Sequence, residues 1–162
     1  MTEKSEFIKT IQENQGIIFK ISKLYAANVE DQKDLFQDIV YQLWKSYERF
    51  RGDSKISTWL YRVALNTSIA HLNKHKRKVK QINLEHEMFN MAESTDHAHH
   101  QMIDKLYSTI RHLSQVDGAI ILLHLEGKKY SEIADVTGFS ETNIGTRMTR
   151  IKEKLKSQMV NE

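Results

Sequence analysis

Residues 130–151 read YSEIADVTGFSETNIGTRMTRI, and this stretch decides the fold. Its first part predicts a short helix over 131–137, which Ser131 is suited to cap and which Gly138 ends. Ser140 predicts the cap of a second, longer helix. A short helix, a three-residue turn that contains glycine and a longer basic helix together form the helix-turn-helix pattern.

The longer helix of this pattern has an apolar face and a polar face. Ile144, Met148, Ile151 and Leu155 recur at helical spacing and are expected to face inward. A polar face of this kind can enter the major groove of DNA, with side chains for base edges and cations for phosphates. The residues expected to do so are Ser140, Thr142, Asn143, Thr146, Arg147, Arg150 and Lys154. Because an ordinary helical hairpin looks broadly similar, this segment alone leaves both interpretations open.

Two more helices are predicted immediately upstream. Residues 102–113 alternate apolar and polar positions with a helical period, which indicates an amphipathic helix. Residues 116–126 contain the nearly continuous apolar run AIILL and predict a buried helix. Gly127 supplies the left-handed residue that commonly follows a helix. The C-terminal part of the chain therefore predicts a four-helix domain.

Between residues 81 and 100 the apolar period fades, which predicts an acidic linker with a short helical turn around Met88 and Phe89. His97, His99 and His100 lie here beside Asp96 and could in principle bind a metal ion. Their spacing, however, puts neighbours on different faces of a helix, and no general base accompanies them. A solvated linker is therefore the favoured interpretation, and no metal or cofactor is expected.

Three helices are predicted in the N-terminal half. Residues 4–27 carry a ragged apolar face. A second helix begins near Val29 and carries a broad amphipathic stripe from Leu35 to Tyr47. A third runs over 56–78 after a loop. The expected fold class is thus all-α, with an N-terminal three-helix bundle and a C-terminal four-helix domain joined by a linker.

The polar face of the second helix is acidic. It consists of Asp34, Gln37, Asp38 and Gln42. Two carboxylates at i and i+4, such as Asp34 and Asp38, can carry out acid–base chemistry. Since no His, Ser or Lys converges on them in the pattern, we interpret this face as solvated or partner-facing.

The third helix is apolar on two sides, with a narrow polar strip that includes Lys55, Arg62 and Asn66. A helix of this kind must be contacted on two sides. Trp59 and Tyr61 are core aromatics in one interpretation and stacking platforms for unpaired bases in the other. The sequence leaves that choice open.

Charge is distributed unevenly along the chain, whose total is +3. Residues 45–80 hold ten Lys and Arg against two Asp and Glu, a net of +8, and residues 141–162 hold five against three, a net of +2. The blocks 1–44 and 81–140 carry −2 and −5. A dense basic block is the electrostatic signature of a polyanion partner, because each neutralised phosphate releases counterions.

Composition excludes several classes of protein. The chain has no Pro and only six Gly, fewer turn residues than a β protein of 162 residues usually needs. It has no Cys, which excludes disulfides and thiolate metal sites. No nucleophile motif or phosphate-binding glycine loop is present, so an enzyme is not expected. With no apolar stretch near the roughly 20 residues of a membrane span, we expect a soluble, cytoplasmic protein.

The order and spacing of these motifs resemble those of bacterial RNA polymerase sigma factors of the extracytoplasmic-function type. The first part of the resemblance, to region two, rests on DLFQDIV at 34–40, LW at 43–44, FRG at 50–52 and STWLYRVALN at 57–66. The second part, to region four, rests on 113–127, YSEIA at 130–134, GFS at 138–140 and 144–155. Together they cover about three quarters of the chain.

The resemblance implies a non-catalytic subunit that directs transcription initiation. Residues 1–80 would be region two, 81–100 a linker and 101–162 region four. The acidic face of the second helix would bind core RNA polymerase, and the residues 140–154 would bind the minus-thirty-five element as double-stranded DNA. The residues implied in capture of the melted non-template strand at the minus-ten element are Arg51, Lys55, Trp59, Tyr61, Arg62, Asn66, Lys76 and Arg77.

The chain also departs from the family pattern. Ser114, Gly118 and Gly145 stand where a Pro, an Arg and a basic residue are common, so individual DNA contacts do not transfer directly. An anti-sigma factor is a further partner that the resemblance implies. A helix-turn-helix regulator that acts without polymerase is the alternative, although it gives the basic block at 45–80 no role.

Overall fold

A computed structural model of the chain describes residues 2–50, 52, 55–82 and 98–160, with the backbone alone at 75–82, 98–100 and 160. Every regular element among them is an α-helix, which confirms the predicted fold class. The helices are α1 (Glu3–Tyr25), α2 (Val29–Tyr47), α3 (Ile56–Ile82), α4 (Ala98–Arg111), α5 (Gln115–Leu125), α6 (Tyr130–Thr137) and α7 (Glu141–Val160).

The chain divides into two compact units, residues 1–74 and 75–162. The predicted boundaries, at 80 and 101, stay a prediction. No helix among the described residues is long and apolar enough to cross a membrane.

The first two helices begin at polar caps. Thr2 Oγ1 accepts a hydrogen bond from the Ser5 backbone N–H at 3.1 Å at the start of α1. Asn28 Oδ1 accepts one from the Asp31 backbone N–H at 2.8 Å at the start of α2. The Asp31 carboxylate in turn accepts from the Ala27 N–H at 2.8 Å, which satisfies a further donor near this helix end.

The core of the N-terminal unit is aliphatic, with an aromatic cluster at one end. Its fully buried side chains include Ile18, Ile21, Leu35, Ile39, Leu43, Leu60 and Ala64 from the three helices. In the aromatic cluster the Phe7 ring lies 4.9 Å from Trp44 and 5.2 Å from Tyr47, between centroids. Trp59 of α3 lies 6.0 Å from Tyr47 and 5.1 Å from Phe50. These rings join α3 to α1 and α2 within the unit.

Two predicted helix ends differ from the structure. The third helix runs to Ile82 rather than to residue 78, and α4 begins at Ala98 rather than near 102. Helix therefore extends into the predicted linker from both ends, because polar and basic residues can continue a helix without an apolar period. The helical turn predicted around Met88 and Phe89 lies outside the described residues.

Helix α5 is the centre of the C-terminal unit. Its residues 118–123 are all buried, as the apolar run predicts, and it packs against α4, α6 and α7. Ile110 of α4, Ile133 of α6 and the inward face of α7 complete this core. Ser114 caps α5 by accepting a hydrogen bond from the Asp117 backbone N–H at 3.1 Å.

The glycine stops are confirmed, and one predicted cap is wrong. Gly127 and Gly138 have φ of +86° and +87°, in the left-handed region that ends helices. Ser131, predicted to cap α6, lies inside the helix, and the cap residue is Lys129. The Lys129 N–H donates to Glu132 Oε1 at 3.0 Å. The capping bond at this end is therefore accepted by a glutamate in the first turn of α6 from the cap residue, and not by a serine hydroxyl from the helix.

We expect Gly138→Ala and Gly145→Ala to change stability in opposite directions. Alanine at Gly138 would have to adopt a left-handed backbone conformation that strains any residue with a Cβ, and this should lower the free energy of unfolding by about 1–2 kcal/mol. Gly145 lies within α7, where an added Cβ would make an ordinary contact with the Tyr130 ring at 3.8 Å. Alanine there should stabilise the unit by about 0.5–1 kcal/mol. Urea unfolding followed by circular dichroism measures both, and two shifts of the same sign would contradict this account.

Candidate functional site

The turn between α6 and α7 is held by backbone and side-chain hydrogen bonds. The Gly138 N–H donates to Ala134 O at 2.8 Å and closes α6. Ser140 Oγ accepts from the Asn143 N–H at 3.1 Å, and Ser140 O accepts from the Ile144 N–H at 3.0 Å. The predicted cap of α7 is thus confirmed, and the helix begins at Glu141 immediately after a three-residue turn.

The two faces of α7 separate as the sequence predicts. Ile144, Met148 and Ile151 are at most 1% exposed and fix the rotation of the helix against the unit. Thr142, Thr146 and Arg150 follow one another at i, i+4 and i+8 on the solvent face. The exposed residues of the predicted set are Ser140, Thr142, Thr146, Arg150 and Lys154. This face offers hydroxyls near the start of the helix and cations farther along it.

Arg147 differs from the expectation that it is left for solvent or a ligand. Its Nη1 donates to Asp117 Oδ1 at 2.9 Å, and its Nε donates to Asn143 Oδ1 at 3.1 Å. The guanidinium carbon lies 4.6 Å from the centroid of the Phe139 ring. The side chains of Arg147 and Asp117 are 26% and 21% exposed. Two of the five N–H donors of Arg147 are therefore used inside the C-terminal unit.

Asp117 was not identified from the sequence. It lies in the first turn of α5, 30 positions before Arg147, and nothing in the local pattern links the two. Asp117 could have been recognised from its charge as a carboxylate suited to the positive end of the α5 dipole, but its partner Arg147 could not. The structure therefore adds a residue outside the helix-turn-helix to the site.

The polar strip of α3 is exposed, as predicted. Lys55, Arg62 and Asn66 all lie on the surface of the N-terminal unit. Trp59 is half-buried, with one part of its ring against the aromatic cluster. Tyr61 is only 7% exposed, so its assignment as a stacking platform is corrected in favour of the core interpretation. Arg51, and the side chains of Lys76 and Arg77, lie outside the description.

The acidic face of α2 is exposed over its whole predicted length. Asp34, Gln37, Asp38 and Gln42 all point to solvent. One neighbour from α3 was not predicted: His71 Nδ1 lies 3.9 Å from Asp38 Oδ2. The same ring bonds Asp31 Oδ1 through Nε2 at 2.8 Å. His71 thus joins α3 to the α2 surface across 40 positions of sequence, beyond the reach of any periodic pattern.

An apolar groove borders this acidic face. Its volume is about 630 Å³, and its lining consists of Lys4, Phe7, Ile8, Phe36, Gln37, Val40, Tyr41 and Trp44. Ile8, Tyr41 and Trp44 are 45%, 57% and 42% exposed. The amphipathic stripe of α2 therefore has a buried half and a half that lines this groove.

Two tyrosines with shifted pKa values, Tyr25 and Tyr107, lie in the cores of the two units. Burial raises the pKa of the Tyr25 phenol and, with a contribution from the Glu126 carboxylate, that of Tyr107. Burial lowers the pKa of the Arg111 guanidinium. Within the described part of the chain no three His, Cys, Asp or Glu side chains converge to hold a metal ion. The histidine cluster of the predicted linker, with Asp96 and His97, falls outside that part, as do the side chains of His99 and His100.

Two family models match the chain, one in each half. The model of sigma-70 region 2 matches residues 10–78, which hold the acidic face and the polar strip. The model of sigma-70 region 4 matches residues 103–155, which hold α5, α6 and most of α7. A regulator that acts without polymerase does not account for the first of these matches.

Similar proteins agree over nearly the whole length. The RNA polymerase sigma factor SigV of Bacillus subtilis is 27% identical over 168 aligned residues, which cover 99% of this chain and 95% of that protein. CnrH, solved in complex with the cytosolic domain of CnrY, superposes with a TM-score of 0.73 at 19% identity, over 99% of this chain and 91% of that one. RpoE of Bartonella quintana, solved with the anti-sigma factor NepR, also superposes with a TM-score of 0.73, at 18% identity and over 95% and 96% of the chains.

Both halves of the chain thus match sigma-70 regions in the family's order, and its fold is shared with solved sigma factors along nearly its full length. The chain belongs to the RNA polymerase sigma factors of the extracytoplasmic-function type, non-catalytic subunits built from sigma-70 regions 2 and 4.

Proposed function

We propose that this sigma factor recognises its promoters through two separate surfaces and binds core RNA polymerase through a third. The observation that carries the proposal is the exposed polar face of α7, which follows a rigid turn and is fixed in rotation by three buried side chains. A helix presented in this way fits the major groove, about 12 Å wide. The promoter sequence that it prefers is not implied by the fold.

The first surface would bind the upstream, minus-thirty-five element as duplex DNA. Side chains in the first turns of α7, among them Thr142, Asn143 and Thr146, are the candidates for base edges. Arg150 and Lys154 lie farther along and are the candidates for phosphates, since phosphate contacts need charge and little directional precision. Arg147 would contribute to this surface through its hydrogen bonds to Asn143 and Asp117.

The second surface would capture the melted non-template strand at the minus-ten element. The exposed Lys55, Arg62 and Asn66 support this proposal, because they form one polar strip within the +8 block. Trp59 is the aromatic side chain in this region that keeps a partly accessible ring. Base stacking on such a ring tolerates any sequence, whereas the cations follow the backbone.

The third surface would be the acidic face of α2. Its four polar residues are exposed and their carboxylates favour a basic partner surface, which we assign to core polymerase. An anti-sigma protein is the further partner that we propose, since the similar RpoE was solved with one. A chain with these partners would act in the cytoplasm.

Run-off transcription tests the proposal as a whole. Full-length protein added to bacterial core polymerase should yield discrete transcripts from a genomic fragment library, and core polymerase alone should not. Removal of residues 101–162 should abolish the transcripts that depend on the upstream element, because non-specific affinity alone is only about 10⁻⁴ to 10⁻⁶ M. Equal products from the truncated and complete chains would rule out the role given to the C-terminal unit.

Asp34→Arg should weaken binding to core polymerase about tenfold, which corresponds to about 1.4 kcal/mol. The substitution reverses one exposed charge on α2, and the loss should diminish at high salt because surface charges are screened. Glu13→Arg makes the same change on the exposed face of α1 and serves as the control. Fluorescence titration against core polymerase measures both. If the two variants bind equally well, the polymerase surface lies elsewhere.

Lys154→Ala should weaken DNA binding alike on every sequence. A phosphate contact carries no sequence information, and its loss should reduce the slope of log affinity against log salt by about 0.9. Lys9→Ala removes the same charge from α1 and should leave the slope unchanged. Titrations on matched and mismatched duplexes at four salt concentrations measure this. A change in sequence preference would instead assign Lys154 to base readout.

A further inference from the structure

Asn143 is a residue in the first turn of α7 whose side chain is already held before any DNA arrives. Its backbone N–H donates to Ser140 Oγ at 3.1 Å, and its side-chain oxygen accepts from Arg147 Nε at 3.1 Å. It lies in the first turn of the helix and is half-buried. A side chain in this position combines access to a base edge with a fixed geometry.

We propose that Asp117 and Arg147 fix the orientation of the Asn143 amide and thereby select the base that Asn143 reads. The inference rests on the proposed role of α7 as the reader of duplex DNA and names the specificity of that site. Asp117 and Arg147 act as positioning residues, and Asn143 makes the contact.

Chemistry alone fixes which end of the amide faces Arg147. A guanidinium only donates hydrogen bonds, so the amide atom beside its Nε–H must be the oxygen. The NH2 group is then the end of the amide that is turned away from Arg147. Reversal of the amide would set two donors against each other.

Arg147 can fix the amide because it is itself held on further sides. Its Nη1 donates to the Asp117 carboxylate at 2.9 Å, and its guanidinium carbon lies 4.6 Å from the centroid of the Phe139 ring. Asp117 in turn belongs to the capped first turn of α5, whose next residues, 118–123, are buried. The orientation of the amide is therefore determined from the core helix of the unit and not from α7 alone.

A fixed donor group reads bases differently from a free amide. A free asparagine reads adenine by donating to N7 while it accepts from N6–H. With its oxygen bonded to Arg147, Asn143 presents donors, which meet the two acceptors O6 and N7 of guanine or O4 of thymine. Adenine N7 can accept from the same NH2 group, but the N6–H of adenine would then lack an acceptor, because the amide oxygen is turned toward Arg147. We therefore expect guanine or thymine, and not adenine, at the base that Asn143 contacts.

Selection of duplexes from a randomised pool by the full-length chain alone tests this inference, at low salt where duplex binding is strongest, followed by titrations on single-position variants. Asn143→Ala identifies the base pair, as the one position whose preference disappears. Arg147→Lys keeps the positive charge but lacks the fork that reaches Asp117 and Asn143 together. Asp117→Ala releases Arg147 from the other end. Asp135→Ala removes an exposed carboxylate from α6 of the same unit and is the matched control.

At the position defined by Asn143→Ala, the wild-type chain should prefer guanine or thymine to adenine by about tenfold. Arg147→Lys and Asp117→Ala should both reduce that ratio to below about threefold, since the amide can then turn to read adenine. Preferences at other positions, helical content and affinity of Arg147→Lys for a scrambled duplex should stay as in the wild type. Asp135→Ala should behave as the wild type throughout.

Three results would overturn the inference. They are an adenine preference of the wild type at that position, an unchanged ratio in Arg147→Lys, and no position that depends on Asn143. The proposed function fails separately, on an absence of run-off product with core polymerase, while duplex selection by the free chain still reports on Asn143. If run-off transcription is normal but Arg147→Lys leaves the base preference at the Asn143 position unchanged, only the positioning role of Asp117 and Arg147 is rejected.

Discussion

The C-terminal unit depends on a single constraint: α5 is apolar almost all the way round and must be covered on every side. Ile120 and Leu123 are fully buried, and α4, α6 and α7 provide the cover. A helix that is hydrophobic on all sides cannot lie on a surface. The positions of α6 and α7 follow from this burial, so the orientation of α7 is set by buried residues of the core. Asp117, at the start of the same helix, extends this control to a side chain of α7.

Several helix ends could be predicted from the sequence, because the interactions that set them are local. Gly127, Gly138 and Ser140 end or begin helices through conformations and hydrogen bonds that involve neighbours within a few residues. The cap at Ser131 could not be predicted correctly for a related reason. Glu132 and Ser131 both suit the start of a helix, and only the geometry of the entering chain decides that Lys129 precedes the first turn.

The pairs that join distant parts of the chain could not be predicted at all. His71 and Asp31 are 40 positions apart, and Arg147 and Asp117 are 30 apart. Each pair joins two helices, and the sequence pattern of one helix does not indicate its contact with the other. For the same reason, the burial of apolar side chains was predicted better than their exposure. On α2, Leu35, Ile39 and Leu43 lie in the core, but nothing in the local sequence distinguishes them from the residues of the same stripe that line the groove. An amphipathic stripe indicates which face of a helix is apolar, but its width does not indicate how much of that face the other helices will cover.

The modest charge of the C-terminal unit constrains how such a protein can act on DNA. Residues 141–162 hold five cations, and Glu141, Glu153 and Glu162 offset three of them. One of the five, Arg147, already pairs with Asp117. Because affinity for duplex DNA grows with the number of phosphates neutralised, few cations on α7 mean weak binding by this unit alone. The +8 block at 45–80 holds most of the excess positive charge, and six of its ten cations belong to the N-terminal unit, at or before Lys74. Stable promoter binding by the proposed mechanism therefore requires both units at once, and core polymerase is the partner that would hold them on one DNA molecule.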